Sequence, residues 1–373
     1  MPGTYTNPTR RAGRAMAWGV AIGVGAVVLR ELVRPRERQA ELIDWARVEE
    51  TALSRSGEAT EFHADGIVDE YRAIAAELEP VLAQALGGGT AAPGSQLYPV
   101  LQPVGRRHWV RFNIRIFRRM FEPLERLQHL IPGSLILSYG QKGISRYLGL
   151  VLGLLARRVL GQYDPVLLGH EPVETSTLIL VEPNVQAWAQ KDRLPIGELR
   201  RWLAMHEMTH AWEFKAHPWL QQYLEGLLNQ VLIGGLADGH KPSRIELLRT
   251  LTVGVGQQWK AIAKMQAVMT LLEGYSNLIM NDVGRKQLPH FEQLEAAYRH
   301  RQEERTPLEK LFLRLTGLEM KMRQYVMGER FCEAVRNAGG PATLARVWEG
   351  PEWLPTMAEI QRPQLYVERV GSR

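Results

Sequence analysis

The chain has 373 residues and a single cysteine, Cys332. One thiol excludes an intrachain disulfide, Cys-built zinc fingers and iron–sulfur centres, and it fits a reducing compartment. Also missing are an internal repeat, a Gly-rich phosphate loop and a Gly-x-Ser-x-Gly elbow. Their absence excludes repeat architectures, P-loop nucleotide chemistry and serine catalysis of the α/β-hydrolase type. Compositional bias is lacking as well: 45% hydrophobic and 23% charged residues exclude collagen-like, coiled-coil and wholly disordered chains. At roughly 150 residues per domain, the length accommodates one to three domains.

The formal net charge is +6, but it is concentrated at one end. Residues 1–40 hold seven arginines against Glu31 and Glu37, a net of +5, so all later residues together carry only +1. A broad nucleic-acid face is therefore not expected. The arginines flank an apolar run, Ala15 to Leu29, which as a helix is shorter than the roughly 30 Å core of a bilayer. Snorkelling of Arg14 and Arg30 could lengthen it. Two readings stay open: a membrane anchor through residues 15–29, or a terminal helix packed on the body or an oligomer. A secretory signal fits less well, because no small-residue cleavage site follows and the next segment is strongly charged. The expected location is the cytoplasm or a membrane rather than free secretion, with the oligomeric state open.

Spacing of apolar residues predicts two helices within residues 41–85, followed by a Gly/Pro linker from Leu86 to Ser95. The expected organisation is a basic and apolar segment over 1–40, a helical subdomain and linker over 41–95, and a catalytic domain over 96–370. A helix starting at Trp109 carries Arg111, Arg115, Arg118 and Arg119, either as a solvated basic face or as an anion-binding one. Gly143 to Leu160 reads as an apolar helix, and Thr175 to Val181 as a strand closed by Glu182-Pro183-Asn184. The rest is mainly helical, so the expected fold class is α+β, predominantly α-helical, with a small β element before the helix that carries the chemistry.

That helix is Ile196 to Phe214, which contains His206-Glu207-Met208-Thr209-His210. Four residues apart, the two histidines project from the same helical face and can share one metal ion, while Glu207 is rotated away as a general base requires. About 0.02 such strings are expected by chance in a chain of this composition. Leu199, Leu203 and Phe214 extend the same face, so both histidines should point into the body. Zinc sites of this type take a third protein ligand and leave the fourth position to water. His217 lies seven residues past His210, too far for the H-E-x-x-H-x-x-G-x-x-H pattern, and Glu213 is one turn beyond His210. Glu273 is the stronger candidate. It sits in the helical stretch Ile262 to Val283 among Val268, Met269, Leu272 and Met280, where an unpaired carboxylate is costly, unless it shares a solvent-facing stripe with Gln266 and Asn277. The adjacent Gly274 weakens a helix, a cost that close approach of a second helix would explain.

Together with Ile43-Asp44-Trp45, Trp109 to Asn113, Val159 to Asp164, Val181 to Val185, Pro218-Trp219-Leu220 and Leu271 to Gly274, these residues resemble a bacterial zincin-like metallopeptidase family, some of whose members are labelled hydrolases or associated with deazaflavin coenzyme biosynthesis. Gly317 to Glu319, Lys321, Gln324-Tyr325, Gly328 and Phe331 fit too. The resemblance covers roughly residues 41–370. It implies a mostly helical zincin-like core with Zn2+ at His206, His210 and Glu273, Glu207 as base, and a peptide or protein substrate. Where the wider pattern often has Asp four residues after the ligand Glu, this chain has Asn277, which leaves the groups behind the histidines unassigned. Tyr325, and less directly Tyr275, are candidates for an additional electrophile. A zincin-derived scaffold that cleaves nothing and a non-peptide amide or ester hydrolase stand as alternatives.

Overall fold

A computed structural model describes residues 43–57, 61–86, 100–126, 135–163, 177–233, 255–303 and 320–372. The apolar run at 15–29, the linker beyond Leu86 and the Gly317 to Glu319 segment lie outside the described residues. In chain order the elements are α1 (Trp45–Arg55), α2 (Ile67–Ala85), β1 (Val100–Val104), α3 (Arg106–Arg126), α4 (Leu135–Ala156), β2 (Gly161–Tyr163), β3 (Thr177–Val181), α5 (Glu182–Asp192), α6 (Ile196–Lys215), α7 (Pro218–Ile233), α8 (Val255–Gln287), α9 (Phe291–Glu303), α10 (Met320–Ala345), α11 (Met357–Gln361) and α12 (Pro363–Gly371). Among the described residues helices dominate and the β content is three short strands, as the α+β expectation has it.

The strand expected at Thr175 to Val181 is β3 over its described part, Thr177–Val181, and is central in the sheet. β1 runs parallel to it, from Val100 opposite Thr177 to Val104 opposite Val181, and β2 runs antiparallel with Gly161 opposite Leu180. Alternation along β3 sends Leu178 and Leu180 to a core shared with α2, α6 and α8, and Ile179 and Val181 to a second core shared with α1, α3 and α4. A strand covered on both faces is apolar throughout, which made β3 legible. β1 contains Pro103, and β2 has only three residues, so neither carried a strand pattern.

Several segments that carried the family resemblance hold elements together. Asp44 caps α1 by accepting from the Arg47 amide at 3.0 Å, and its own amide donates to Ser145 Oγ on α4 at 2.9 Å. The Asn184 side-chain amide donates to the carbonyls of Ala156 and Val159 at 2.8 and 2.7 Å, closing the end of α4. Its oxygen accepts from Arg106 Nε at 2.7 Å. Fully buried Glu182 accepts from Tyr71 Oη at 2.8 Å and from Arg200, which also pairs with Glu70. A buried carboxylate is tolerable only with its oxygens satisfied in this way, and the network clamps α2 and α5 onto the first turns of α6.

The tightest helix contact is between α8 and α10. A methyl group placed on Gly274 would lie 2.1 Å from the Gly328 carbonyl carbon, and one on Gly328 would lie 2.1 Å from the Thr270 carbonyl oxygen. Only glycine on both sides allows backbones this close. The second helix that the Glu273-Gly274 pair called for is therefore α10.

Gly274→Ala and Gly328→Ala should each lower stability by at least about 1–3 kcal/mol, the usual cost of overpacking. A methyl group on Gly226 of α7, by contrast, would meet nothing within 4 Å among the described residues. Gly226→Ala should therefore gain up to about 1 kcal/mol from helix propensity alone. Thermal or urea unfolding of the three variants checks the contrast.

Candidate metal centre

No residue of α6 from Ile196 to Lys215 is fully exposed to solvent. The helix is enclosed on nearly every side rather than along one stripe, so the two histidines need no special face to point inward. His206 and His210 bring their Nε2 atoms to 3.2 Å from one another. Glu273, buried on α8 rather than turned to solvent, brings Oε2 to 3.8 Å from His206 Nε2 and 3.6 Å from His210 Nε2. Tetrahedral ligands about 2.0–2.2 Å from one ion stand roughly 3.3–3.6 Å apart, so the three atoms have the spacing of three corners around a divalent cation.

The far sides of both rings are held. His210 Nδ1 donates to Glu213 Oε2 at 2.8 Å, and His206 Nδ1 lies 3.0 Å from Ser276 Oγ, whose hydroxyl reaches the His206 carbonyl at 3.5 Å. With Nδ1 of each ring so engaged, Nε2 is the atom turned toward Glu273. Burial and the neighbouring His210 push His206 down to about 3, which keeps it neutral. Burial opposes protonation of His210, but the carboxylates of Glu213 and Glu273 outweigh it and hold this ring well above its ordinary value. A cation bound at Nε2 would compete with that proton. The donor set thus fits a metal: two imidazole nitrogens, one carboxylate oxygen, and a second ring of hydrogen bonds behind both imidazoles.

Glu207 is buried beside this group. Burial pushes its carboxyl up to about 7, with His210 opposing the shift and Glu273 adding to it. Its wall is the sheet edge: a Cβ on Gly161 of β2 would lie 2.5 Å from Glu207 Oε1. β2 is itself fixed to α3, because Gln162 Oε1 accepts from Trp109 Nε1 at 2.7 Å and Gln162 Nε2 donates to Asn113 Oδ1 at 3.1 Å.

The other candidates fall elsewhere. Glu213 stands behind His210 as its hydrogen-bond partner rather than as a ligand. His217 donates Nδ1–H to the Glu213 carbonyl at 2.9 Å and stacks on Trp348. Tyr275 packs between Trp212 and Trp348 with centroids 6.0 and 4.9 Å away. Tyr325 lies on α10, with its side chain outside the described residues. Ser276 and Gly161 were missed from sequence. Ser276 was findable, lying three residues past Glu273 on the same helical face, whereas Gly161 depends on a strand pairing that left no pattern.

Zn2+ titration should show Glu273→Ala losing tight binding while His217→Ala keeps it. Glu213→Gln should weaken binding about 10- to 100-fold, the usual effect of loosening a group behind a ligand. Calorimetry in buffers of different ionisation enthalpy should register about one proton released per ion bound, with affinity falling as the pH drops.

Among curated proteins none matches the chain. A solved structure from Chloroflexus aurantiacus, described as a putative hydrolase with a novel fold, is 34% identical with a TM-score of 0.68, and the match covers 89% of this chain and 99% of that one. The family model for zincin-like metallopeptidases matches residues 43–367, nearly the whole described body and both elements that bear the ligand group. The chain belongs to the zincin-like metallopeptidase family.

Proposed function

We propose that the protein is a zinc-dependent peptidase that uses Glu207 as general base. The observation that carries this reading is the pairing of a three-atom ligand group with a separate buried carboxylate beside it, raised toward neutrality. A site kept only for stability has no use for that second carboxylate, which favours catalysis over the scaffold reading. When bound, zinc polarises a substrate carbonyl and makes water a stronger nucleophile near neutral pH.

The chain's own residues do the rest. Glu207 takes the proton of the attacking water at a carboxylate oxygen and returns it to the leaving amine, a task suited to a group titrating near the working pH. Glu213 and Ser276 keep the two imidazoles in one tautomer and orientation. Gly161 leaves room for the Glu207 carboxylate that any side chain would displace.

β2 favours a peptide over a small ester as substrate. Among the described residues it is a sheet edge, paired only with β3, and it lies beside Glu207. An extended backbone can add to such an edge by main-chain hydrogen bonds.

A peptide-library digest with the zinc-loaded protein tests the reading. Glu207→Gln should retain one equivalent of zinc and lose hydrolysis by about 10²- to 10⁴-fold. Gly161→Ala should keep zinc and also lose activity, because its methyl meets Glu207 rather than the ligands. Undiminished hydrolysis in Glu207→Gln would remove the base. A wild type that cleaves esters but no peptide would establish the non-peptide alternative, and one that cleaves neither would establish the scaffold.

A further inference from the structure

The two imidazoles of the candidate ligand group are not held alike. Behind His210 stands the Glu213 carboxylate, which can only accept, so that contact fixes both the tautomer and the direction of the ring. Behind His206 stands the Ser276 hydroxyl, which can donate or accept and reaches its second partner only at 3.5 Å. A hydrogen bond at Nδ1 also places one atom without fixing the plane of the ring. His206 therefore needs a second constraint if its Nε2 is to stay turned toward Glu273.

Trp202, one turn before His206 on α6, presents a flat surface to it. The two rings are parallel to within 3° with centroids 6.2 Å apart, the geometry of an offset stack. The indole is itself clamped: Tyr298 of α9 lies 4.9 Å away, and Trp188 of α5 meets it edge-on at 6.5 Å. Arg301 of α9 covers Trp188 at 4.9 Å and donates to the Arg158 carbonyl at 2.9 Å, which anchors the clamp to the chain just before β2. Trp202 Nε1 is buried and has no hydrogen-bond partner among the described residues. Buried indoles usually pair that N–H, and a residue kept only for packing could be Phe or Leu and avoid the loss. The part of Trp202 in use is its ring face.

We infer that Trp202 is a positioning residue for His206: its face sets the plane of the imidazole, while Tyr298 and Trp188 hold the indole in place. Hydrogen bonding to Ser276 then fixes the remaining freedom of the ring, and the two constraints together keep Nε2 aimed at Glu273. The consequence for metal affinity rests on the reading of His206, His210 and Glu273 as ligands, whereas the ring geometry itself does not.

Ring-nitrogen NMR of the metal-free full chain labelled with 15N-histidine, with the His206 signals assigned through His206→Gln, tests the geometry. The wild type should show one tautomer for His206, and Trp202→Leu a mixture of two. Zn2+ competition and the visible absorption of the Co2+-loaded protein read the consequence. Trp202→Leu should weaken binding about 10- to 100-fold, as loosening a group behind a ligand does, and shift the Co2+ bands. Trp202→Phe, which keeps a ring face, should restore the single tautomer and bring affinity to within about 10-fold of wild type. Phe331→Leu, at another buried aromatic that packs on Tyr366, should lower the melting temperature and leave both signatures alone. If Trp202→Leu does not fold, Tyr298→Leu at its half-buried position decides, with the same changes in smaller measure. A single tautomer and unshifted Co2+ bands in the deciding variant would overturn the inference, as would equal losses in Phe331→Leu. The tautomer measurement needs no metal, so a wild type that takes up no Co2+ would sink the ligand reading alone, with the ring signals still deciding the role of Trp202.

Discussion

The crossing of α8 and α10 at Gly274 and Gly328 sets where everything else in the site can stand. Glu273 is the neighbour of Gly274, so the depth to which α8 settles on α10 fixes how far its carboxylate reaches toward α6. One extra methyl at the crossing would lift the helix by more than the few tenths of an ångström by which the 3.6 and 3.8 Å ligand spacings can vary. Ser276, which orients His206, rides on the same helix and would move with it. Helix packing here sets the spacing of the candidate ligand group rather than forming a scaffold beneath it.

The opposite side of the site is secured by polar rather than steric means. Trp109, Asn113 and Gln162 pin β2, and the Glu182–Arg200–Tyr71 network pins the start of α6. These are costly groups to bury, and each is satisfied by a partner distant in sequence. The three-stranded sheet serves as a partition between two cores, one carrying the site and the other the basic helices.

How much of this was legible in the sequence follows from range. His206, Glu207 and His210 lie within one helical turn, so their relation is a matter of helix geometry and could be read directly. Glu273 was readable because a carboxylate beside a glycine in an apolar helix violates local expectation, and the structure shows the glycine to be required by the crossing and the carboxylate to face the two histidines. Glu213 was visible, but which neighbour it served was not: as a residue one turn past His210 it could bind the ion or the ring, and only the Nδ1 distance decides. Gly161 was opaque, since its meaning comes from a three-residue strand paired with a segment 19 residues away in register. The Trp109 helix was read correctly as helix, while the sharing of its arginines between internal pairs and surface could be seen only once Glu49 and Glu61 were placed.

The separation of the ligands along the chain also orders events in time. His206 and His210 adopt their relation as soon as one turn of helix forms, a step of the submicrosecond kind. Glu273 is 63 residues further on in the sequence, so its approach to them is a non-local contact of the sort that slows folding. An ion bound by all three groups would therefore be captured late, with full coordination marking the completion of the fold. A chain halted before that crossing would present only the two histidines, without the carboxylate that completes the candidate ligand group.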